Sequence, residues 1–260
     1  MWTIKTSELK IKEVMKSLRI LGKSDIGKAR EMNQDSFYVS DKNDGIKLFI
    51  LADGMGGYKG GEIASNLAVM SAKNYICNNF PNILKEKEEI LKLLSDAIEY
   101  ANFVVYEKSK ESAEISDMGT TLDICLIYNN KVFIGHIGDS RIYRIRKNII
   151  RKLTNDHSYV AKLVKEGKIT KEEAYTHPRK NMLLKAVGCN SLVEPDVMYK
   201  GFIKDDILLM CSDGLTNMVR DEDIYKIILD NPERPVDMLI QNANNAGGTD
   251  NITAIIVDNT

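Results

Sequence analysis

Residues 47–57 read KLFILADGMGG, and this stretch contains the pattern from which the fold and the site are predicted. Five consecutive apolar residues, 48–52, predict a strand that is buried on both faces. Asp53 follows them directly, and the glycines after it favour a tight turn. Because a carboxylate at the end of a buried strand is poorly hydrated, its charge needs compensation from a neighbouring group.

The same arrangement of an aspartate beside an apolar run occurs at three further positions. They are KVFIGHIGDSR (131–141, with Asp139), DILLMCSDGL (206–215, with Asp213) and GGTDNITAIIV (247–257, with Asp250). A single Asp-Gly pair at a strand end usually forms a turn. If the four strand ends converge, two carboxylates ~4 Å apart repel by about 4 kcal/mol at an effective dielectric of ~20. Protonation or bound cations would relieve that repulsion.

The residue types around these aspartates predict a site for hard divalent cations. No histidine or cysteine accompanies them at ligand spacing, so the available ligands are oxygen atoms. Oxygen ligands select Mg²⁺ or Mn²⁺, and water fills the remaining positions. Two such ions bridged by one carboxylate could activate water for in-line attack on a phosphorus atom. A glycine carbonyl can be a further ligand, because glycine lets the backbone approach closely.

A cation suited to a phosphate group lies upstream, in SDIGKAREMNQDSFYV (24–39). Arg30 precedes Gln34 and Asp35 there, just ahead of a predicted strand. Its guanidinium is a rigid fork that matches phosphate oxygens. Taken alone, Arg30 is equally consistent with a solvated surface residue; beside an acidic cluster it is a candidate substrate ligand.

The order of the predicted elements favours an α+β fold with mostly antiparallel sheets. Strands occur in hairpin-linked groups, such as 121–138 with the turn Asn129-Asn130, and not in strict βαβ alternation. Runs that are apolar at every position need cover on both faces, so we expect two stacked sheets flanked by helices. Helical spacing predicts helices over 60–80, with Ile63, Leu67 and Met70 on the apolar face, over 86–108, and near 221–230 and 235–246.

Composition excludes several classes of protein. The net charge of −1 over 260 residues gives no indication of nucleic-acid or anionic-membrane binding. The longest apolar runs, about six residues, are far below the ~20 that cross a bilayer, and the N-terminus lacks the apolar core of a signal peptide. We therefore expect a cytoplasmic protein without membrane insertion. The cysteines are scattered and read as reduced core residues, so neither zinc nor disulfides are supported: Cys77, Cys125, Cys189 and Cys211.

No linker, repeat or low-complexity tract divides the chain, which predicts a single domain over 20–260 after an N-terminal extension, 1–19. Residues 7–19 carry apolar side chains at helical spacing, as in a short amphipathic helix that packs on the domain or docks a partner. The charged segment 154–180 reads as two short helices joined through Gly167. It is either a solvated insertion or a mobile flap that screens substrates.

Taken together, the motifs resemble the metal-dependent serine/threonine protein phosphatases of the 2C type (PPM family), particularly the bacterial members. The likeness covers roughly residues 20–258, and the motifs occur in the family's order: GKAREMNQDS, LADGMGG, GTTL, GHIGDSR, CSDGL and GGTDNITAIIV. The resemblance implies a two-sheet β-sandwich with helices on both outer faces. It also implies that segment 154–180 is the family's flap.

The resemblance assigns a role to each matching position. By this likeness two Mn²⁺ or Mg²⁺ ions bind, with a third in the bacterial members. Asp53 bridges two ions, Gly54 offers its carbonyl to one, Asp213 and Asp250 complete the other, Asp139 with Asp213 holds the third, Arg30 grips the substrate phosphate, and Asp35 orients metal-bound water.

Two positions differ from many eukaryotic relatives. Gln34 stands where those have a metal-binding glutamate, and Met55 stands where they have a histidine proposed as general acid. Methionine cannot donate a proton, so a metal-bound water, His157 or His177 is the candidate proton donor. His136 lies inside a predicted strand and reads as a core residue.

The sequence therefore predicts an enzyme that hydrolyses phosphoserine and phosphothreonine by direct attack of metal-activated water. By analogy it opposes a membrane-anchored Ser/Thr kinase and that kinase's substrates. An aspartyl-nucleophile phosphatase would need a second aspartate at position 55, and no nucleotide-binding glycine motif is complete. A phosphoprotein-binding scaffold derived from the same family remains the alternative.

Overall fold

The computed structural model describes residues 18–41, 44–56 and 60–260, and its strands form two antiparallel sheets. The first sheet contains β1 (Leu18–Asp25), β7 (Arg141–Arg146), β8 (Ile149–Lys152), β10 (Ile207–Cys211) and β11 (Ile252–Asn259), in the order β1–β11–β10–β7–β8. The second contains β2 (Asp35–Val39), β3 (Lys47–Met55), β5 (Leu122–Tyr128), β6 (Lys131–Ile137) and β9 (Asp196–Gly201), in the order β2–β3–β5–β6–β9, with β4 (Gly119–Thr120) paired to β3.

Helices cover both outer faces of this sandwich. The longer ones are α1 (Gly60–Asn79) and α2 (Lys87–Ser109), which pack on the second sheet, and α6 (Asp221–Asp230) and α7 (Pro235–Asn245), which pack on the first. Shorter helices are α3 (Tyr159–Lys165), α4 (Lys171–Thr176) and α5 (Asp213–Thr216), with 3₁₀ turns at Phe80–Asn82 and Ala113–Ile115. The predicted α+β sandwich with helices on both outer faces is confirmed.

Strand β3 explains why the run before Asp53 is apolar at every position. Leu48 and Ile50 pack outward in the cluster with α1 and α2, whereas Phe49 and Leu51 pack between the two sheets. All four side chains are fully buried. Because successive side chains of a strand point to opposite faces, only a strand covered on both sides needs such a run.

Two hairpins use tight two-residue turns, and the sequence predicts the first of them. Asn129 and Asn130 connect β5 to β6 with φ of 48° and 54°, and Lys147 and Asn148 connect β7 to β8 with φ of 46° and 63°. Positive φ at both central residues gives a turn whose twist matches that of the paired strands, and asparagine tolerates this conformation well.

The buried face of α1 only partly matches the predicted one, since Ile63 and Leu67 pack against the core but are only partly buried. Ala64, Ala68 and Ala72 are fully buried, whereas Met70 is 50% exposed. Small side chains at this spacing let the helix backbone approach the sheet closely, so the alanines form the contact face. Size complementarity within the core, and not hydrophobicity alone, decided which face is buried.

At the N-terminus, Leu18 and Arg19 begin strand β1 and are not the end of a helix. They pair with Asn259 and Asp258 of β11, which supplies main-chain partners that a helix would forgo. The rest of the predicted helix, 7–17, lies outside the described residues. No helix in the described ranges is both long and apolar enough to span a bilayer.

Candidate metal centre

Asp35 links the two sheets at one end of the sandwich. It lies directly opposite Asp53 in the β2–β3 register. Its Oδ2 accepts hydrogen bonds from Ser212 Oγ (2.8 Å) and Thr253 Oγ1 (2.6 Å). Ser212 directly follows β10 and Thr253 lies in β11, so both donors belong to the first sheet. The ends of β2, β3, β10 and β11 therefore meet around this carboxyl group.

The second oxygen of Asp35 is an unused acceptor. Oδ1 is buried and has no hydrogen-bond partner among the described residues. Burial, opposed by the two hydroxyl donors and reinforced by Asp213, raises the pKa of Asp35 to about 7. A buried, unpartnered carboxylate oxygen is costly unless a ligand, water or ion completes its bonding.

Asp53 is fixed through its backbone. Its N–H donates to Thr121 Oγ1 (2.9 Å), and its carbonyl accepts from Thr120 Oγ1 (2.9 Å) and Thr121 N–H (2.9 Å). Burial and then the charges of Asp35 and Asp213 raise the pKa of Asp53 well above its usual range. The carboxyl group is thus held rigidly where other negative groups are close.

Gly54 lies where no side chain fits. A Cβ atom at this position would be 2.1 Å from the Gly61 carbonyl oxygen and 2.5 Å from that of Gln34. The Gly54 N–H donates to the same Gln34 oxygen at 3.1 Å. Only glycine permits this backbone contact with the start of α1.

Asp213 and Asp139 lie in the same acidic group. Asp213 begins the short helix α5 and accepts a hydrogen bond from Asn217 Nδ2 (2.9 Å). Burial and then Asp250 raise the pKa of Asp213, and burial and then Asp213 raise the pKa of Asp139 well above its usual range. The repulsion expected from converging strand ends is present.

Arg30 lies on the open side of the group. Its Nη2 donates to Asp250 Oδ2 at 2.8 Å, and its side chain is 49% exposed. This hydrogen bond raises the pKa of the guanidinium. Among the described residues no three acidic, histidine or cysteine side chains form a complete metal-ligand set, and Asp250 is bonded to Arg30 instead.

The group nevertheless fits hard cations. All five predicted carboxylates are brought together: Asp35, Asp53, Asp139, Asp213 and Asp250. The buried cation beside them, Arg141, already forms a bidentate pair with Asp156, whose nearest contact is 2.8 Å. The excess negative charge, the free Asp35 oxygen and the all-oxygen donors match Mn²⁺ or Mg²⁺.

Several supporting residues lie in the quoted motifs but receive no role from the sequence. Thr121, Ser212 and Thr253 hold Asp53 and Asp35 through the hydrogen bonds above. Asn251 fixes the loop that carries Arg30, since its Nδ2 donates to the carbonyls of Ile26 (2.9 Å) and Met32 (3.0 Å). The only indication of these roles in the sequence is that the residues lie within the motifs GTTL, CSDGL and GGTDNIT.

The histidines are engaged elsewhere. His136 is fully buried, as predicted, with Nδ1 2.6 Å from Asp123 Oδ1 and Nε2 2.9 Å from the Asn155 carbonyl. His157 Nδ1 accepts from the Gly138 N–H at 3.2 Å, and Nε2 lies 3.3 Å from Asp196 Oδ2. His177 Nδ1 accepts from the Arg179 N–H at 3.0 Å. These contacts give no support to a flap histidine as proton donor.

Comparison with known proteins shows the family to which the chain belongs. The family model described as Protein phosphatase 2C matches residues 22–247. The chain belongs to this family. It is 37% identical over 238 residues to the serine/threonine phosphatase stp of Listeria monocytogenes, covering 91% of this chain and 94% of that protein.

Solved structures of protein phosphatase 2C relatives share the fold. The serine/threonine phosphatase of S. agalactiae superimposes with a TM-score of 0.85 and 36% identity over 94% of this chain and 100% of that one. The catalytic domain of the phosphatase PstP, solved in complex with two manganese ions, gives a TM-score of 0.80 and 34% identity over 93% and 97%. The chain is thus a protein phosphatase 2C-type enzyme, and its family is metal-dependent.

Proposed function

We propose that this enzyme hydrolyses phosphoserine and phosphothreonine in proteins, using two Mn²⁺ or Mg²⁺ ions and, with Asp139, a third. The observation that carries the proposal is that carboxylates from separate strand ends lie close enough to raise one another's pKa, with Asp35, Asp53, Asp139 and Asp213 largely buried and Asp250 partly exposed beside them. The likeness to the Listeria serine/threonine phosphatase supports the substrate class. A phosphoprotein-binding scaffold would have no need to retain all five acids.

The expected ligands are oxygen atoms of this chain. Asp53, the Gly54 carbonyl, Asp213 and Asp250 would hold two ions, and Asp139 with Asp213 would hold the third. Bound divalent ions supply Lewis acidity that activates water and neutralises charge on the phosphoryl group. Asp250 becomes available only when it exchanges its 2.8 Å bond to Arg30.

The chain's own groups do the positioning. Asp35 Oδ1, which is buried and has no hydrogen-bond partner among the described residues, would accept a hydrogen bond from the attacking water and so orient it. Arg30, once released from Asp250, would direct its fork to two phosphate oxygens. In phosphoryl transfer, most of the rate enhancement comes from positioning and electrostatic stabilisation of the reacting groups. Asp35 and Arg30 would position the water and the phosphate.

Removal of divalent ions tests the proposal directly. We expect release of phosphate from a phosphothreonine peptide to stop in excess chelator and to return when Mn²⁺ is restored, because Arg30 and Arg141 leave the cluster with excess negative charge. The measurement is phosphate released per minute against free Mn²⁺. Turnover that persists in excess chelator would overturn the metal mechanism, and absence of turnover in folded, Mn²⁺-loaded protein would favour the scaffold.

Replacement of Arg30 tests separately its bond to Asp250 and its proposed contact with the substrate phosphate. For Arg30→Ala we expect KM for a phosphothreonine peptide to rise about tenfold or more, because a charge-assisted bond to phosphate is lost. We expect Mn²⁺ to bind more tightly, because Asp250 is freed and a positive charge leaves the cluster. Calorimetric Mn²⁺ titration and steady-state kinetics measure the two effects. Lys28→Ala, an exposed neighbour, is the control, and an unchanged KM would contradict the assignment.

We also propose that segment 154–180 screens protein substrates. Its helix α4 is held by Arg220, whose guanidinium lies 3.6 Å from the centre of the Tyr175 ring. Arg220 immediately precedes Asp221, which accepts a hydrogen bond from Tyr143 Oη at 2.9 Å. The flap is therefore attached to the rigid sheet that carries the acidic group.

Loss of this contact should alter selectivity rather than chemistry. For Tyr175→Ala we expect kcat/KM for a folded phosphoprotein to change about threefold to tenfold, since a cation–π contact of about 1 kcal/mol is removed. Turnover of a small aryl phosphate should stay the same. Tyr106→Ala, which removes a comparable contact to Lys110 (4.1 Å), is the matched control. Equal effects on both substrates would refute a screening role.

The partners that follow from this function are phosphorylated proteins. We infer that they include a Ser/Thr kinase and the proteins that this kinase modifies, because a phosphatase of this class reverses such modification. The inference rests on the likeness to bacterial serine/threonine phosphatases.

A further inference from the structure

A group of basic side chains lies along one lateral edge of the sandwich. Strands β8 and β9 are the edge strands of the two sheets on this side. Arg144 Nη1 and Arg146 Nη2 of β7 donate to the Gly201 carbonyl of β9, at 2.9 and 3.0 Å, and so connect the two sheets. The residues lie well along β7 from the metal centre and take no part in it.

Strand register places further cations beside these two. Arg151 is directly opposite Arg144 in the β7–β8 pair, so their Cβ atoms lie about 5 Å apart on the same face. Lys200 pairs with Val132, whose side chain is buried between the two sheets. The Lys200 side chain therefore lies on the inner face of the second sheet, the face turned toward the first sheet. We call Arg144, Arg146, Arg151 and Lys200 the basic edge.

The positive charge of the basic edge is only partly compensated. Asp206 is bonded to Arg146, with both contacts at 2.6 Å. The side chains of Arg151 and Lys200 form no hydrogen bond or ion pair with any residue in the described parts of the chain. Nε of Arg144 is buried and lacks an acceptor there as well.

This arrangement is unfavourable without an anion. Like charges directly opposite each other on paired strands are destabilising. Burial, and then the neighbouring charge of Arg146, lowers the pKa of the Arg144 guanidinium, while Asp206 opposes the change. A donor that is buried and unpaired adds a further penalty. One phosphate group would supply negative charge and acceptor oxygens to the exposed side chains of Arg151 and Lys200.

We propose that the basic edge binds a second phosphate group on the protein substrate, so that the enzyme prefers doubly phosphorylated segments. This inference rests on the proposed phosphatase function. Arg144 follows Asp139 by five residues, across the bend at 138–139 and the first four residues of β7, so their Cα atoms lie at most about 16 Å apart at 3.3 Å per residue. An extended peptide spans that distance in about five residues. The second phosphate is therefore about five residues from the one that is cleaved.

The test uses phosphothreonine peptides that carry a second, non-hydrolysable phosphonate analogue of phosphoserine. The analogue is placed about five residues before or after the phosphothreonine, or about two residues away for comparison. Wild type is compared with Arg144→Gln/Arg151→Gln, with the exposed single variant Arg151→Gln in case the double variant folds poorly. Lys108→Gln/Lys226→Gln, which removes two exposed lysines elsewhere, is the matched control.

We expect the analogue at about five residues to lower KM about tenfold in wild type and in the lysine control, with kcat unchanged. The gain should disappear in both arginine variants and weaken in high salt. Equal gains at every spacing, or a gain that survives loss of both arginines, would overturn the proposal. Normal turnover of the singly phosphorylated peptide without any gain would refute the basic edge alone, whereas no turnover of that peptide would refute the phosphatase function.

Discussion

Asp213→Asn is expected to lower kcat for a phosphothreonine peptide by at least about a hundredfold, even at high Mn²⁺ concentration. The amide has nearly the same shape and can keep a hydrogen bond with Asn217, so the fold is preserved. It removes, however, one negative charge from a group that binds divalent cations, and an amide oxygen is a weaker ligand than a carboxylate. Electrostatic stabilisation at the reacting phosphate is the largest contribution to such catalysis.

Two further measurements identify the cause of that loss. A Mn²⁺ titration should show weaker binding in Asp213→Asn, and circular dichroism should show an unchanged fold. Asp237→Asn removes a charge from an exposed helix residue that pairs with Lys23 and should leave turnover unchanged. If Asp213→Asn retained wild-type turnover at moderate Mn²⁺, the acidic group would not be the catalytic metal centre.

The second large effect concerns stability in the presence of chelator. The folded-state pKa values of Asp35, Asp53, Asp139 and Asp213 are raised by burial and mutual repulsion. The folded state therefore holds protons that the unfolded chain releases near pH 4, so the free energy of unfolding falls as pH rises from about 4 to about 7. We expect chelated protein to melt several degrees lower at pH 8 than at pH 5.5.

Divalent ions should cancel this dependence because they replace the protons. Adding Mn²⁺ at pH 8 is expected to raise Tm by several degrees or more, in proportion to its binding. Asp53→Asn in chelator should melt higher than wild type at pH 8, since it removes a largely buried charge that its acidic neighbours repel, although it would be inactive. Differential scanning calorimetry across pH measures these shifts. A chelated wild type that melts equally at both pH values would show that repulsion in the cluster is unimportant.

Particular residues show where sequence reasoning succeeded. The apolar run before Asp53 predicted a doubly covered strand because period-2 geometry leaves no other explanation for five consecutive apolar residues. The Asn129-Asn130 turn predicted its hairpin because few residues adopt positive φ readily. The four strand-end aspartates were candidates for one site because isolated buried charges are too costly.

Other features depended on contacts that local spacing does not encode. Met70 has the hydrophobicity of a core residue, yet the alanines of α1 form the contact face because only small side chains fit against the sheet. Leu18 and Arg19 have helical spacing with the preceding residues, but pairing with β11 makes them strand. The roles of Ser212 and Thr253 depend on Asp35, 177 and 218 positions away in the chain.

The sequence by itself determined the apolar strands, the Asn129-Asn130 hairpin, the α+β class and which acidic residues are candidates for the site, because these follow from side-chain periodicity, backbone preferences and the cost of burying charge. Only the tertiary structure decided that Asp35 faces Asp53, that Asp250 is bonded to Arg30, and that Arg144 lies opposite Arg151. These relations join residues far apart in the chain or on paired strands. Strand register and the stacking of two sheets set them, and neither quantity is a local property of the amino-acid sequence.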